Sequence, residues 1–203
     1  NALQSSIRLA NSTISGNIVR DYDGPYAIGG GIHLSDDTFL SIVNSVIAGN
    51  SAITGPDSVT IPSDVAGVIG FTDGHNVFGS KVKGSIPGDR EKVPASVLFA
   101  AIDPATGGGK LSPSGIVPLK KNLLSNPALS GADPLTASRF GQLGTTKRPL
   151  PVGSLPDIGS IEISQPLSTS PTVNNDVLTG SGAANNLAGL AGNDLIRGLG
   201  GRF

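Results

Sequence analysis

A chain of 203 residues with formal charge −1, 14% charged side chains and no cysteine excludes several classes at once. Without cysteine there is no disulfide, no thiolate-held zinc and no cysteine nucleophile, and sparse charge beside plentiful isoleucine, valine and leucine is not the composition of a disordered chain. The 29 glycines and 15 prolines, with only 4% aromatics, predict a turn-rich β protein whose core is built from small and β-branched residues.

No apolar run is long enough to span a bilayer, and the opening residues do not read as a signal peptide. A strand-like segment begins almost at residue 1, which predicts a fragment or processed form of a longer parent chain. Charge is placed unevenly. Up to residue 79 there are two basic residues against seven aspartates, whereas 80–148 carry ten basic residues against four acidic ones. A basic middle can meet a polyanion, but the plainer reading is a solvated surface balancing its acidic neighbours.

Residues 5–17, SSIRLANSTISGN, alternate apolar and small polar positions through Ile7, Leu9 and Ile14, and the pattern returns in DDTFLSIVNSVIAGN at 36–50. Between them GGGIHL (29–34) reads as a glycine turn feeding another short strand. The heptads NSTISGN (11–17) and NSVIAGN (44–50) share five of seven residues at a spacing of 33. An ankyrin repeat has that length, but its signature and any helical apolar period are missing here. A β-solenoid coil of roughly 20–25 residues is the expected unit, with IVRDYDGPYA (18–27) as a loop inserted between two coils. Stacking then places Ile14 beside Ile47, and gives Asn11 and Asn44 one turn position where an amide ladder satisfies carbonyls.

GGGIHL, the two heptads, GPD (55–57), GHNVFG (74–79) and LPDIGSIE (155–162) together resemble the bacterial choice-of-anchor Q proteins. That resemblance covers about residues 5–163. It implies an all-β, right-handed parallel β-helix in a large extracellular protein, and speaks to fold more than to activity. Residues 80–155 depart from the coil pattern and are expected to run as long loops with a few short elements, ending in a strand at DIGSIEI. The expected domains are therefore a β-helix fragment with covering loops (1–163), a linker (164–174) and a distinct C-terminal segment (175–203).

From 171 the sequence falls into nines: PTVNNDVLT, GSGAANNLA, GLAGNDLIR, GLGG. Glycine or proline opens each unit, Leu178, Leu187 and Ile196 fill the apolar slot, and Asp176, Asn185 and Asp194 hold position six. This resembles the hemolysin-type (RTX) calcium-binding β-roll of proteins exported by type I secretion. Two nonapeptides make a full coil, so loops 18 residues apart stack on one side. The expected Ca2+ site joins the carboxylates of Asp176 and Asp194 with loop residues Gly189, Gly192 and Asn193, since calcium takes six to eight oxygens and glycine lets the backbone curl to offer carbonyls. Asn185 falls on the opposite side.

Other candidates carry less. His33 and His75 have no third ligand at a recognisable spacing, and a histidine hydrogen-bonded at a turn is the plainer reading. Asn11-Ser-Thr fits a glycosylation pattern but also a coil turn. Asp21, Tyr22, Asp23 and Tyr26 could contact calcium or a sugar from the inserted loop. The Asp-Pro bonds at 103–104 and 133–134 lack the rest of any self-cleavage signature. No catalytic residue is assigned: there is no serine–histidine signature, P-loop or dinucleotide fingerprint.

The expectation is thus a secreted or cell-surface bacterial protein, structural or adhesive, whose C-terminal repeats fold with calcium. Carbohydrate or other cell-surface proteins are the expected partners, with no nucleic acid and no membrane span. The alternative is a polysaccharide lyase or uronate epimerase module that recruits Lys81, Lys83, Arg90 and Lys92 near Asp73 and His75.

Overall fold

The computed structural model describes residues 5–21, 27–55, 58–121, 125–129, 131–133, 135, 156–161, 177–179 and 195–197. The fold is all-β, and the described residues include the single helical turn α1 (Ala95–Leu98). Short strands recur because β-branched residues alternate with small polar ones and glycine or asparagine interrupts every run.

The first pass of the chain lays down β1 (Ser5–Ala10), β2 (Thr13–Ile14), β3 (Ile18–Asp21) and β4 (Ile32–His33). The second lays down β5 (Thr38–Val43), β6 (Val46–Ile47), β7 (Ser51–Thr54), β8 (Val59–Pro62) and β9 (Val65–Ala66). Four parallel ladders join the two passes in one register: Ser5 faces Thr38, Thr13 faces Val46, Ile18 faces Ser51 and Ile32 faces Val65. β8 is the exception, turning back antiparallel on β7. A third pass adds β10 (Phe71–Thr72) beside β5 and β11 (Val77–Phe78) beside β6, both parallel.

This register corrects the expected coil. The repeat is 33 residues, and 18–21 are strand β3, paired residue for residue with β7, where an inserted loop was expected. The reason is that β3 (IVRD) and β7 (SAIT) share no sequence pattern; backbone hydrogen bonds, which are blind to side-chain type, make the match. The expected neighbours Ile14 and Ile47 are indeed register partners.

Because side chains alternate along a strand, each ladder has an inward and an outward row. Ile14, Ile47 and Phe78 form an inward row, joined by Leu34, Leu40, Ile42, Ile69 and Val82 in a core enclosed by the ladders. Thr13, Val46 and Val77 form the outward row of the same strands. Val46 and Val77 are nevertheless fully buried, because Leu98, Phe99, Leu119, Ala128, Leu129, Ala132 and Ile158 pack over them as a second core.

The covering segment is irregular and held by specific polar contacts. Phe99 and Leu119 form one antiparallel bridge, Ile102 and Gly109 another. The buried amide of Asn126 donates to the carbonyls of Leu98 and Lys120 and accepts from Ala128 N, which closes the segment on itself. Ser160 N donates to Thr13 Oγ1 and Gly159 N to the Asn44 carbonyl, so the described residues 156–161 cross the outward row. Residues 158–160 are bends and Ile161 a single bridge position, so the strand expected at DIGSIEI does not run through the described residues 156–161.

The two heptads repeat one backbone as well as one sequence. Asn11 and Asn44 both have φ 46°, while Gly16 and Gly49 have φ 75° and 73°. Asparagine tolerates the left-handed region and glycine enters it without strain. At Gly49 a Cβ would also lie 2.8 Å from Gly108 Cα, so the covering segment passes too close for any side chain.

Candidate functional site

Polar side chains at the corners of the passes form two relays. In the first, Asn17 donates from both its backbone N (3.1 Å) and Nδ2 (3.0 Å) to Asn50 Oδ1. Asn50 repeats the gesture, donating from N (3.1 Å) and Nδ2 (2.9 Å) to Asp64 Oδ1. In the second, Ser12 N donates to Ser45 Oγ and Ser45 N to Asn76 Oδ1. Asn76 then clamps Asp89 Oδ1 with N (3.1 Å) and Nδ2 (2.9 Å). Asn50, Asn76 and Asp64 are at most 1% exposed, so leaving these groups unbonded would cost roughly 1–3 kcal/mol each. Each relay runs from earlier to later residues and its side-chain series ends on a carboxylate; from Asp64 the backbone N continues to Ser80 Oγ at 3.1 Å.

The relays also correct the expected ladder position. Asn44 turns its amide to residue 133, accepting from Asp133 N at 2.8 Å and donating to its carbonyl at 2.9 Å, and so ties the corner to the cover. The amide ladder runs through Asn17 and Asn50, the last residues of the two heptads. Their identity in both copies was the available signal, but Asn11 and Asn44 carried it equally well.

Asp73, His75, Asn76 and Asp89 meet at one corner. Asp73 Oδ1 accepts from His75 N and Asn76 Nδ2, and Asp89 Oδ2 accepts from Thr72 Oγ1 at 2.7 Å and Ile86 N at 3.0 Å. His75 is exposed, and its Nδ1 lies 2.9 Å from the Asp73 carbonyl, the turn role expected of it. His33 lies on β4, on a different ladder, and is also exposed. Among the described residues no group of three or more histidine, aspartate or glutamate side chains is placed to hold a metal.

Beyond Asn76 the chain makes a partial fourth pass that sequence alone did not separate from loop. Val68 bridges Lys83 and Val77 bridges Arg90, both parallel. Along this pass exposure alternates: Lys81, Lys83, Arg90 and Lys92 face solvent, Val82 is buried, and Asp89 and Glu91 are half-buried. Glu91 Oε1 accepts from Val82 N at 3.0 Å and Ser85 Oγ at 2.9 Å, which ties the segments 81–83 and 90–92 together.

The expected calcium ligands Asp176, Gly189, Gly192, Asn193 and Asp194 lie outside the described residues, as do Tyr22, Asp23 and Tyr26. Described beside them are β12 (Val177–Thr179) and β13 (Leu195–Arg197), which pair in parallel with Val177 facing Leu195, an offset of 18 residues. Among the described residues no helix is long and apolar enough to cross a membrane. No protein-family model matches the chain, and neither a curated protein nor a solved structure is detectably similar to it.

Proposed function

We propose that the chain is part of a secreted or cell-surface bacterial protein: a right-handed parallel β-helix that serves as a rigid stalk or adhesive surface, followed by RTX-type repeats that fold with calcium. The observation that carries the calcium half is the 18-residue parallel register of β12 and β13. It is the spacing at which every second nonapeptide loop stacks, and it would set the loops carrying Asp176 and Asp194 side by side. The 33-residue parallel register of four ladders supports the helical half, since successive parallel strands need a long crossover, which a helical pass provides.

Calcium does its work in folding. Carboxylates on adjacent loops repel one another until a divalent ion joins them, so binding free energy becomes folding free energy. Far-UV circular dichroism and thermal melting in calcium, against melting in chelator, test this. Calcium is expected to raise the melting temperature of the C-terminal transition, and Asp194→Ala to abolish the increment. A melting curve indifferent to calcium in both proteins would sink the reading.

A further inference from the structure

We propose that the rim of the fourth pass, Lys81, Lys83, Arg90 and Lys92, is a docking site for an extended acidic polypeptide segment of a partner protein. The proposal rests on the adhesive half of the reading above and adds a partner class to it; the calcium response is a separate measurement, so either can fail alone.

The argument begins with how the fold sorts charge. DREK (89–92) is neutral as sequence, yet its two acids turn toward the molecule and its two bases turn out. Asp89 spends both oxygens on Asn76, Thr72 and Ile86, and Glu91 holds Val82 and Ser85. The third acid of the described stretch 80–121, Asp103, accepts from Ala105 N in its own turn. Seven cations in that stretch are exposed, and four of them sit on this one rim. Arg90 donates to the Gly88 carbonyl, and none of the four has an ion-pair partner among the described residues. The Glu91 tie gathers the four, because it draws 82 and 91 within one hydrogen bond.

Geometry then selects the partner. Lys81 and Lys83 flank buried Val82 and both face solvent, and along an extended run side chains two residues apart stand about 7 Å from each other. An extended peptide carrying acids at alternate positions has the same repeat. A single-stranded nucleic acid would call for aromatic platforms on which its bases stack, and SKVKGSIPGDREKV (80–93) contains no aromatic residue. Lysines on a sheet rim also keep edges from pairing, and that simpler role predicts no selectivity among ligands.

Fluorescence anisotropy with a labelled peptide of alternating glutamate and serine, at low ionic strength, decides the matter in the full chain. Lys81, Lys83 and Lys92 all changed to Gln are expected to weaken binding about tenfold, the product of three exposed ion pairs. The charge-matched control, Lys110, Lys120 and Lys121 all changed to Gln, should stay within about twofold. The pair variant Lys81→Gln with Lys83→Gln gives an intermediate loss, and matched melting curves establish that each variant folds. Equal losses in the two triple variants, or none in either, overturn the proposal. Tighter binding of polygalacturonate or duplex DNA than of the peptide overturns the partner class.

Discussion

The two hydrophobic cores among the described residues are built on opposite sides of the same strands and by opposite means. The inner core is written by local repetition: one inward position per strand, brought into line by parallel register, gives Ile14, Ile47 and Phe78. The outer core is an encounter between those strands and residues from 21 positions away (Val77 to Leu98) to 112 (Val46 to Ile158), with no periodic pattern of its own. A repeat can therefore specify a scaffold, while the cover that completes it depends on single contacts such as Asn44 with Asp133.

The sharpest way to break this contrast is to empty one core at a time. Phe78→Ala removes the largest fully buried inner side chain and is expected to cost about 3–5 kcal/mol, lowering the denaturant midpoint of the whole ladder unit. Leu119→Ala, in the outer core, should cost about 2–4 kcal/mol but act on the cover. Hydrogen exchange is then expected to rise in 95–121 while β5 and β6 stay protected. Equal loss of protection in β5 and β6 would mean that the two cores form one cooperative unit.

Smaller effects test the relays. Asp89→Asn keeps an oxygen for Asn76 but turns an amide N–H toward Ile86 N, a donor facing a donor, and should cost about 1–3 kcal/mol. Asp64→Asn keeps the same clamp from Asn50, and Asp64 Oδ2 has no protein hydrogen-bond partner among the described residues. That variant should fall within about 1 kcal/mol of the parent in chemical unfolding. If it proves as costly as Asp89→Asn, the second carboxylate oxygen is not what sets the two relay ends apart. Smallest of all, Lys83→Gln on the rim should shift stability by no more than about 0.5 kcal/mol.

How much of this was legible beforehand follows from what each element depends on. The heptads exposed a stacking relation and the pairing of Ile14 with Ile47, because register repeats identical corners. The coil length was misread because charge and proline in IVRDYDGPYA look like loop, although four of those residues pair through their backbones. The change from Thr13 to Val46 keeps a similar bulk. It marks the boundary of the cover: the half-buried threonine bonds Ser160 N with its hydroxyl, while valine is sealed under the outer core. Nothing local to either heptad says which neighbour lies 100 residues downstream. The inward turn of Asp89 and Glu91 was equally hidden, since net charge over 89–92 is zero whichever way the side chains face.

The direction of the relays sets a rule for how such a chain can change length. An asparagine side chain both accepts and donates, so it passes a hydrogen bond to the next corner; an aspartate side chain only accepts, so the side-chain series halts there. Asn50, which receives from Asn17, hands on to the Asp64 carboxylate, and from there only the backbone N of Asp64 continues, to Ser80 Oγ at 3.1 Å. Exchanging a carboxylate oxygen for an amide nitrogen at such a corner would turn a closing residue into an invitation for one more pass.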